Sequence, residues 1–538
     1  MDNIKILVSD DVSESGLEPL RAGGFTVEKR TGLKPDELRE IVRDYDGLVV
    51  RSETKVTAAL MDEAVRLRAI GRAGVGVDNI DVPAATARGI IVMNAPDGNT
   101  MTTAEHTLAL LLALARSVPQ AHASLRGGKW ERKKFVGVEL RGKTLGVVGL
   151  GRIGRVVANR ARGFEMKVLA FDPFIAPEQA RDMELELATL EEVCERADFI
   201  TVHTPLTAET RGIIGAREFA CMKRDVRIIN CARGGLIDER ALYDALKEGR
   251  VAGAALDVFE EEPPTQINPL LEFEGVIMTP HLGASTKEAQ EGVAVTVAEQ
   301  MRDYFQTGAL RGAVNAPALG AQELNTLAPY LVLAERLGRF QAQLLDEAVR
   351  EVKIEYAGEL AEMEAAPVTR AFLAGLLRDM SARVNVVNAF LIAEERGIPV
   401  TTSYMRGAGY ESSPAITTRV VTVKGEQSVS GALFGSRGAD GSGGDGRITE
   451  INGFRIEAIP SGHMVITRNR DVPGVIGYVG TILGAHGVNV SRFHLGRHER
   501  GGEAMAVIQI DAPLADETLE ELQAFEQIVS VRRIVLES

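Results

Sequence analysis

The first part of the chain alternates between short apolar runs and segments with the polar pattern of surface helices. The apolar runs lie in KILVSD, FTVEKR, GLVVRSETKV and RAIGRAGVGVDNID, all within residues 5–81. Short apolar strands separated by helical segments are typical of a parallel sheet with helices packed on it. The pattern predicts an α/β domain over residues 1–96.

A second alternating region contains a glycine motif. The apolar run at residues 144–150 leads into Gly149, Gly151 and Gly154 in G-x-G-x-x-G spacing, and a helical segment and another apolar run ending at Asp172 follow. Such glycines allow a tight turn and a close backbone approach to a pyrophosphate, which the helix N-terminus can bind. Strand, helix, strand and carboxylate in this order predict dinucleotide binding rather than an ordinary glycine-rich turn.

The carboxylate at the end of this unit indicates which dinucleotide is bound. Asp172 follows the glycines by about 20 residues, the distance at which an acidic residue accepts hydrogen bonds from the ribose hydroxyls. A negative charge there would repel a 2′-phosphate. We therefore expect NAD rather than NADP.

Four later segments each join an apolar strand to a polar loop: ADFITVHTPLT, VRIINCARGGLIDERAL, GAALDVFEEEPP and GVIMTPHLGAST. Their loops carry Arg233, Glu262 and His281. Oxidising a secondary alcohol needs a base for the hydroxyl proton, a cation that fixes the substrate and an acid that holds the imidazole. Each residue alone could be an ordinary surface or loop residue, but together after a dinucleotide motif they predict a catalytic set.

Cations also follow the strands of the first domain. Arg51 and Ser52 end one apolar run, and Arg72 precedes Gly74-Val75-Gly76. Ligands of parallel sheets gather at the carboxyl ends of strands, where an arginine and exposed N–H groups can hold an anion. The alternative is that both arginines are solvated loop charges.

The segment before the glycine motif contains a helix and a basic cluster. TTAEHTLALLLALAR is apolar nearly all round, so we predict a buried or interface helix in which His106 is a packed residue rather than a ligand. LRGGKWERKKF follows and contains Arg132 among its cations. This cluster is either a solvated face or the lip of an anion site, which could belong to a neighbouring subunit.

Residues 286–307 are predicted to form a helix that returns to the first domain. That domain would then comprise residues 1–96 with 286–314, and a cofactor domain of residues 97–285 would be inserted in it. We expect the active site in the cleft between the two.

The last 220 or so residues have a different composition. Residues 315–460 contain two Leu/Ala-rich helical stretches, 324–347 and 368–396, and the strand-like EVKIEYAG and TTRVVTVKG. The glycine-rich stretch 435–446 is predicted to be a hairpin tip or linker. Residues 461–538 follow the order β-α-β-β-α-β, which predicts a ferredoxin-like domain.

Composition narrows the function classes. The 538 residues carry a formal net charge of −14, which argues against a nucleic-acid surface but leaves room for a local cationic pocket. No apolar run reaches the ~18 residues of a membrane span, and the sequence shows no cationic leader. We therefore expect no membrane-spanning or secretory segment. Cys194, Cys221 and Cys231 lack metal-ligand spacing, so we expect free thiols, no metal site and a cytoplasmic location.

With these motifs in place, the sequence resembles the D-3-phosphoglycerate dehydrogenases, a branch of the D-2-hydroxyacid dehydrogenases, in their long form. The resemblance covers nearly the whole chain and rests on GLGRIG, NCARGG, LDVFEEEPP and PHLGAST, with RSETKVT, GRAGVGVDNID and WERKKF typical of the phosphoglycerate branch. It implies NAD-dependent oxidation of 3-phosphoglycerate to 3-phosphohydroxypyruvate, the first step of the phosphorylated pathway of L-serine synthesis.

The resemblance also implies roles for individual residues. Arg233 would bind the substrate carboxylate, His281 would be the general acid/base, and Glu262 would be its partner. The other substrate-binding residues would be Arg51, Ser52, Arg72, Gly74, Val75, Asn99 and Arg132, the last from a partner subunit. The cofactor-binding residues would be Gly149, Gly151, Arg152, Ile153, Gly154, Asp172, Thr204, Cys231, Asp257 and Gly283.

The implied fold is a Rossmann-type NAD domain inserted in a flavodoxin-like substrate domain, followed by an α+β intervening domain and a C-terminal ACT domain. In this family, paired ACT domains bind serine, and the expected ligands here are Asn469, Asp471 and Asn489. These side chains could instead serve as turn residues and caps. The resemblance also implies homo-oligomers, either dimers or tetramers.

The sequence leaves two other functions open. One is the oxidation or reduction of another D-2-hydroxyacid, such as glycerate, lactate or glyoxylate, although Arg51, Arg72 and Arg132 favour a phosphorylated substrate. The other is a non-catalytic NAD-sensing regulator like the C-terminal-binding corepressors. The C-terminal regulatory domain, which is typical of a biosynthetic enzyme, speaks against it.

Overall fold

The computed structural model describes residues 3–263, 267–317, 321–380, 383–405, 416–435 and 444–536. In these residues the strands form four sheets, which follow one another along the chain. The first two sheets are parallel and carry the predicted site, and the other two are mixed and antiparallel.

The first sheet has the strand order β2-β1-β3-β4-β5, which is the flavodoxin-like order. Its strands are β1 (Lys5–Val8), β2 (Thr26–Lys29), β3 (Gly47–Val50), β4 (Ala69–Arg72) and β5 (Ile91–Asn94). The helices between them are α1 (Glu18–Ala22), α2 (Pro35–Val42), α3 (Ala58–Glu63) and α4 (Val82–Ala87). Arg51 and Arg72 lie at the carboxyl ends of β3 and β4, so the sheet presents both at one edge.

The second sheet is preceded by two helices, α5 (Thr100–Arg116) and α6 (Val118–Arg126). Its strands are β6 (Thr144–Val148), β7 (Lys167–Phe171), β8 (Glu186–Leu187), β9 (Phe199–Val202), β10 (Val226–Asn230), β11 (Val251–Leu256) and β12 (Val276–Met278). The helices between them are α7 (Arg152–Gly163), α8 (Pro177–Asp182), α9 (Leu190–Arg196), α10 (Ala216–Cys221) and α11 (Glu239–Lys247). A short 3-10 helix, Pro269–Glu272, precedes β12.

The order β12-β11-β10-β9-β6-β7-β8 makes this second sheet a doubly wound Rossmann sheet. From β6 the strands are added on one side, to β7 and β8, and from β9 they are added on the other side, to β10, β11 and β12. A crevice therefore opens between the carboxyl ends of β6 and β9. The glycine turn follows β6 and His203-Thr204 follows β9, which places both at that crevice. The predicted Rossmann and flavodoxin-like folds are therefore confirmed.

Helix α12 (Lys287–Thr307) returns the chain to the first sheet. Its buried residues Val293, Val297 and Met301 share a core with Ile6 of β1 and Ile91 of β5. This packing closes the first domain after the Rossmann sheet has been completed.

The third sheet has the order β14-β13-β15-β16-β17-β18. Its strands are β13 (Glu351–Ala357), β14 (Val400–Met405), β15 (Ile416–Thr422), β16 (Gly425–Phe434), β17 (Asp445–Ile451) and β18 (Phe454–Ala458). The helices of this region are α13 (Ala321–Leu344), α14 (Ala366–Leu377) and α15 (Ala389–Glu395). Strands β16 and β17 pair antiparallel on either side of the glycine-rich stretch, of which residues 436–443 lie outside the described residues.

The prediction of one helical stretch over residues 368–396 is wrong. Helix α14 ends at Leu377, a 3-10 turn follows at Arg378–Met380, and α15 begins at Ala389. The Asn385 side chain accepts a hydrogen bond from the Val387 N–H, and the Asn388 side chain accepts one from the Asn385 N–H. Asparagine side chains that bind nearby backbone groups compete with helix formation, so the helix is interrupted.

The fourth sheet has the order β20-β21-β19-β22 and confirms the predicted ferredoxin-like ACT fold. Its elements are β19 (Gly462–Arg470), α16 (Val475–Ala485), β20 (Val490–Arg497), β21 (Glu503–Ile510), α17 (Asp516–Gln523) and β22 (Ile528–Leu536). One face of the sheet packs under its own helices through Val465 and Ile508. The opposite face, with Met464 and Val507, joins the core of the third sheet's domain.

No single helix of the described residues combines the length and apolar character of a membrane span. Helices α5 and α6 together have that length and composition, but they are bent by 63° at the break between them. The described part of the chain also contains no group of three or more His, Cys, Asp or Glu that could hold a metal ion.

Candidate active site

A cleft of about 420 Å³ lies between the first and second sheets. One wall is residues 75–78 of the first domain, and the opposite wall is formed by residues 203–206, 231–233, 281 and 283–284 of the Rossmann domain. The two walls are therefore the loops at the carboxyl ends of parallel strands, where ligands of such sheets bind.

Each of the three motif glycines meets a different steric requirement of the phosphate-binding turn. Gly149 has a φ of +98°, and a Cβ there would lie 2.9 Å from the His203 backbone. A Cβ on Gly154 would lie 2.0 Å from the Gly149 carbonyl oxygen, so the helix could not approach the strand. Gly151 faces open space, where a pyrophosphate can approach the N-terminus of α7.

Asp172 lies immediately after β7 and beside the glycine turn. Its Oδ2 accepts a hydrogen bond from the Leu150 N–H at 2.8 Å, and its Oδ1 accepts one from the Phe174 N–H at 2.9 Å. The carboxylate is thus fixed between the first glycine and the end of β7. This is the position from which an acidic residue can reach a ribose.

Three residues that line the cleft have buried polar atoms without a hydrogen-bond partner among the described residues. The atoms are Asn99 Oδ1, His203 Nδ1 and Thr204 Oγ1. An unpaired buried polar group costs about 1–3 kcal/mol, so these atoms indicate a polar ligand. Burial lowers the pKa of His203 to about 4, so its imidazole is neutral at physiological pH. Together with the glycine turn, they fit a dinucleotide.

His281 and Glu262 form a directed pair at the cleft. His281 Nδ1 lies 2.6 Å from Glu262 Oε2, and because a carboxylate can only accept, Nδ1 carries the hydrogen. The other ring nitrogen of a neutral His281 can then accept a proton. Burial alone would raise the Glu262 pKa, but hydrogen bonds from His281 and the Phe259 N–H lower it below its ordinary value. Glu262 therefore remains an anion beside the imidazole.

The loop that carries His281 is held by Asp257, which is fully buried. Its carboxylate accepts hydrogen bonds from the Leu282 N–H at 2.7 Å, the Gly283 N–H at 2.8 Å and the Thr279 hydroxyl at 2.5 Å. His106 Nε2 lies 3.2 Å from the same carboxylate. Burial raises the pKa of Asp257, and these hydrogen bonds more than offset the effect and lower it.

His106 is therefore more than the packed helix residue that the sequence predicted. Its ring nitrogen lies between Asp257 and Thr279, 3.2 Å from each oxygen. The two partners are 151 and 173 positions away along the chain, so no local pattern indicated the contact.

Arg233 spans the cleft. Its Nε donates to Asp78 Oδ2 at 3.1 Å across the cleft, and its Nη1 donates to the Ala232 carbonyl at 2.7 Å. A Cβ on Gly76 would lie 2.1 Å from Arg233 Nη2, so this glycine leaves room for the guanidinium. Asp78 was not predicted, and its signal in the sequence was its place in the GVGVDNID loop.

Arg72 lies close to Arg233 and is mostly buried. A Cβ on Gly74 would lie 1.4 Å from Arg72 Nη1, and Arg72 Nε has no partner among the described residues. Burial, with further repulsion from Arg233 and Arg51, lowers the Arg72 pKa to about 10. Arginines thus converge here, as expected for a site that binds an anion.

The structure brings many of the predicted residues together. The cleft is lined by Val75, Asn99, Arg152, Ile153, Thr204, Cys231, Arg233, His281 and Gly283. Arg51 and Ser52 lie in the adjacent loop after β3, where Asp10 accepts a hydrogen bond from the Arg51 N–H at 2.6 Å. Burial raises the pKa of Cys231 to about 12, so its thiol is neutral. Arg132 is exposed after α6 and does not line the cleft of its own chain.

The chain is similar to named proteins over nearly its whole length. It is 46% identical to a D-3-phosphoglycerate dehydrogenase of Methanocaldococcus jannaschii, over 99% of this chain and 100% of that protein. A protein of the same name from Bacillus subtilis is 45% identical, over 99% of both. The chain belongs to the D-3-phosphoglycerate dehydrogenase family. The family assignment made from the motifs is confirmed.

Family models match the separate parts of the chain. Residues 108–283 match the NAD-binding domain of D-isomer specific 2-hydroxyacid dehydrogenases, residues 326–451 match the D-3-phosphoglycerate dehydrogenase intervening domain, and residues 463–527 match the ACT domain. The protein is therefore an NAD-dependent dehydrogenase, and the orphaned buried atoms and glycine turn described above fit this cofactor.

Solved structures resemble the first part of the chain. NAD-bound 3-phosphoglycerate dehydrogenase of Entamoeba histolytica is 30% identical with a TM-score of 0.50, over 59% of this chain and 100% of that chain. A glyoxylate reductase from Paecilomyes thermophila is 31% identical with a TM-score of 0.54, over 58% and 99%. Proteins that share this fold thus bear the names of different hydroxyacid enzymes, so the substrate depends on the side chains of the site.

We predict that Asp172→Ala lowers the ratio of kcat/KM for NAD to that for NADP. Losing a charge-assisted hydrogen bond of about 1.5–3 kcal/mol corresponds to about tenfold or more. Because Asp172 also binds two backbone N–H groups, Asp172→Asn serves as the variant of nearly unchanged shape. Asp182→Ala, in the exposed C-terminal turn of α8, is the matched control. An unchanged ratio in both Asp172 variants would show that this carboxylate is not the ribose ligand.

Proposed function

We propose that this protein oxidises 3-phosphoglycerate to 3-phosphohydroxypyruvate with NAD, the first step of the phosphorylated pathway to L-serine. The observation that carries the proposal is the cleft itself. His281 and Arg233 line it, and Glu262 holds the His281 ring from outside the lining. Arg51 and Arg72 lie close to Arg233 at the strand ends of the first domain, and the glycine turn precedes Arg152 and Ile153 of the cleft.

The proposed chemistry assigns one task to each group. The Arg233 guanidinium binds the substrate carboxylate, and Arg51 and Arg72 attract the phosphate. The free ring nitrogen of His281 takes the hydroxyl proton, while Glu262 stabilises the imidazolium that forms. The glycine turn and Asp172 would hold NAD, which would supply the acceptor for the hydride that leaves the carbon bearing this hydroxyl. In the reverse direction the His281 imidazolium returns the proton to the carbonyl oxygen.

A phosphorylated substrate is favoured over a smaller hydroxyacid by the arginines. A carboxylate alone can be bound by Arg233, which also contacts Asp78. The proximity of Arg51 and Arg72 then leaves a positive field that lactate or glyoxylate would not neutralise. A second anionic group on the substrate would do so.

We also propose that the active enzyme is a homo-oligomer, a dimer or tetramer, in which Arg132 reaches the cleft of a partner. Exposed apolar side chains around α6 and the following loop support this, namely Val118, Leu125, Trp130 and Val136.

The domain boundaries that we propose are 1–96 with 286–314, 97–285, 315–460 and 461–538. The free thiols of Cys194, Cys221 and Cys231 are consistent with the proposed cytoplasmic location.

The ACT domain indicates regulation by an amino acid, and we propose L-serine. Asn469 and Asp471 lie at the end of β19, and Asn489 immediately precedes β20, at the opposite end of α16. Their positions along β21 differ by about six residues, or roughly 20 Å. A site that uses all of them therefore requires a second copy. The exposed edge strand β20, with Phe493 and Leu495 on its surface, offers a surface for one.

All three effector candidates already have partners within the chain. Asn469 donates a hydrogen bond to the Arg470 carbonyl at 2.9 Å. Asp471 accepts hydrogen bonds from the Gly501 N–H at 3.1 Å and from Arg497 at 2.9 Å, and both lower its pKa. Asn489 donates to Asp511 at 2.6 Å. In our proposal the ammonium of serine would compete with Arg497 for Asp471.

The proposed substrate can be tested by following NADH formation with 3-phosphoglycerate, D-glycerate and D-lactate side by side. We expect kcat/KM to be highest for 3-phosphoglycerate. Arg51→Gln should raise KM for that substrate and leave KM for NAD unchanged, because its charge acts on the phosphate. A preference for D-lactate, or an Arg51 variant altered only in NAD binding, would contradict the proposal.

For the chemistry, we predict that His281→Ala lowers kcat by about 10²-fold or more, the usual effect of losing a general acid/base, while NADH still binds. Glu262→Gln should lower kcat and move the acid limb of the kcat/KM profile to lower pH. The reason is that an uncharged partner no longer stabilises the imidazolium. Fluorescence titration with NADH gives the binding control. An acid limb that stays in place in Glu262→Gln would exclude this role for the carboxylate.

Regulation by serine gives a separate prediction. A preference of serine for one quaternary state by about 1–3 kcal/mol would inhibit several-fold or more. Asn489→Ala should lose serine inhibition and keep its uninhibited rate. Asn452→Ala, in the turn between β17 and β18, is a control outside the ACT domain. Absence of calorimetric serine binding to the intact protein would refute the proposal.

A further inference from the structure

A second cavity, of about 360 Å³, lies away from the active-site cleft, where the first domain meets the third. Its wall carries four arginines: Arg66, Arg68, Arg88 and Arg383. Among the described residues that line it, Asp46 is the one acidic residue. A concentration of arginines is unexpected in a chain with a net charge of −14.

The cavity is formed by two domains that are docked together. Arg68 directly precedes β4, Arg88 follows α4, and Arg383 lies between α14 and α15. The Asn385 side chain donates a hydrogen bond to the Gly89 carbonyl at 2.8 Å, and a Cβ on Gly89 would lie 2.5 Å from that amide nitrogen. Val387, two residues further on, is buried in the same core as β5. The two walls therefore have a fixed spacing.

Arg66 and Arg88 have carboxylate partners. Arg66 Nη2 lies 3.1 Å from both oxygens of Asp46, and Arg88 donates to Asp62 at 2.5 Å and to the Ala84 carbonyl. These contacts hold the guanidinium groups in place and neutralise part of their charge.

Arg68 differs from them. Its guanidinium lies over the Phe305 ring, 4.9 Å from the centroid, and forms no ion pair with a carboxylate of the described residues. Tyr304, the neighbour of Phe305, also lines the cavity, and its hydroxyl forms no hydrogen bond within the described part of the chain. Burial raises the Tyr304 pKa, so the hydroxyl remains a neutral donor. Within the described residues, a guanidinium without a carboxylate partner thus lies beside a hydroxyl that donates no hydrogen bond.

We propose that this cavity binds a small phosphorylated anion. A phosphate has three oxygens that can accept from several guanidinium groups and from a hydroxyl at once, and arginine matches its geometry with two parallel N–H groups. Its charge of about −1.5 to −2 would compensate the positive charge at Arg68. Because the walls belong to two domains, the bound anion would tie residues 383–389 to the turn at 88–90.

Hydrogen–deuterium exchange of the full-length protein tests the proposal without relying on activity. Inorganic phosphate is the first probe and glycerol 3-phosphate the second, which distinguishes free phosphate from a phosphate ester. We expect either probe to slow exchange in peptides that cover residues 88–90 and 383–389. Binding in the active-site cleft would instead slow peptides near residues 72–78 and 233. Protection confined to those cleft peptides by both probes would overturn the proposal.

Variants locate the ligand. Arg68→Gln should raise the phosphate concentration for half-maximal protection of residues 383–389 by about tenfold, because it removes a charge-assisted hydrogen bond. Arg217→Gln, an exposed arginine on α10 that is 85% accessible, should leave it unchanged. An unchanged midpoint in Arg68→Gln would refute the site.

If circular dichroism shows that Arg68→Gln does not fold, two milder variants test the site instead. Arg68→Lys keeps a cation over Phe305 but loses the fork, and Tyr304→Phe keeps the ring but loses the donor. Both should weaken protection of residues 383–389 several-fold. If both variants reach half-maximal protection at the same phosphate concentration as the wild type, the proposal is overturned. Neither side chain lines the cleft, so this result is independent of the proposed dehydrogenase reaction.

Discussion

The shape of the active-site cleft depends on one buried charge, the carboxylate of Asp257. An ionised group without access to water is costly, and it is stable here because two N–H groups, a hydroxyl and an imidazole donate to it or lie against it. Those donors belong to α5 and to the loop after β12, so satisfying the charge forces the two together.

This constraint reaches the reactive imidazole directly. His281 has a φ of +52°, in the left-handed region that costs a non-glycine residue about 1–2 kcal/mol. Its N–H donates to the Asp257 carbonyl at 2.9 Å, and the two residues that follow it donate to the Asp257 carboxylate. The loop is thus held in a conformation that it would not adopt alone. In that conformation the imidazole meets Glu262.

The distribution of charge matters more than its total. Although the chain is acidic overall, arginines at the carboxyl ends of β3, β4 and β10 approach one another at the cleft. Their mutual repulsion contributes to the lowered pKa of Arg72, and Asp78 partly compensates it. A second group of arginines lies where the first and third domains meet. Both groups concentrate positive charge where an anion can enter.

Much of the fold and the site could be predicted from the sequence because the relevant signals are local. The spacing of Gly149, Gly151 and Gly154 follows from the turn between one strand and one helix. Arg233 and His281 could be assigned to one site from the sequence, since parallel strands end at one edge of their sheet. The ferredoxin-like order of the ACT domain was also evident from successive segments.

Contacts between distant segments were decided by tertiary packing alone. His106 binds Asp257 across 151 positions, and Arg233 binds Asp78 across 155. The interruption between α14 and α15 depends on two asparagines whose side chains bind local backbone and the first domain, at Gly89 and Ala87. Asn469 and Asn489 lie close in sequence, yet the helix between them separates them in space. Hydrophobic periodicity determines which elements form, whereas the partners of buried charges and amides depend on which elements pack together.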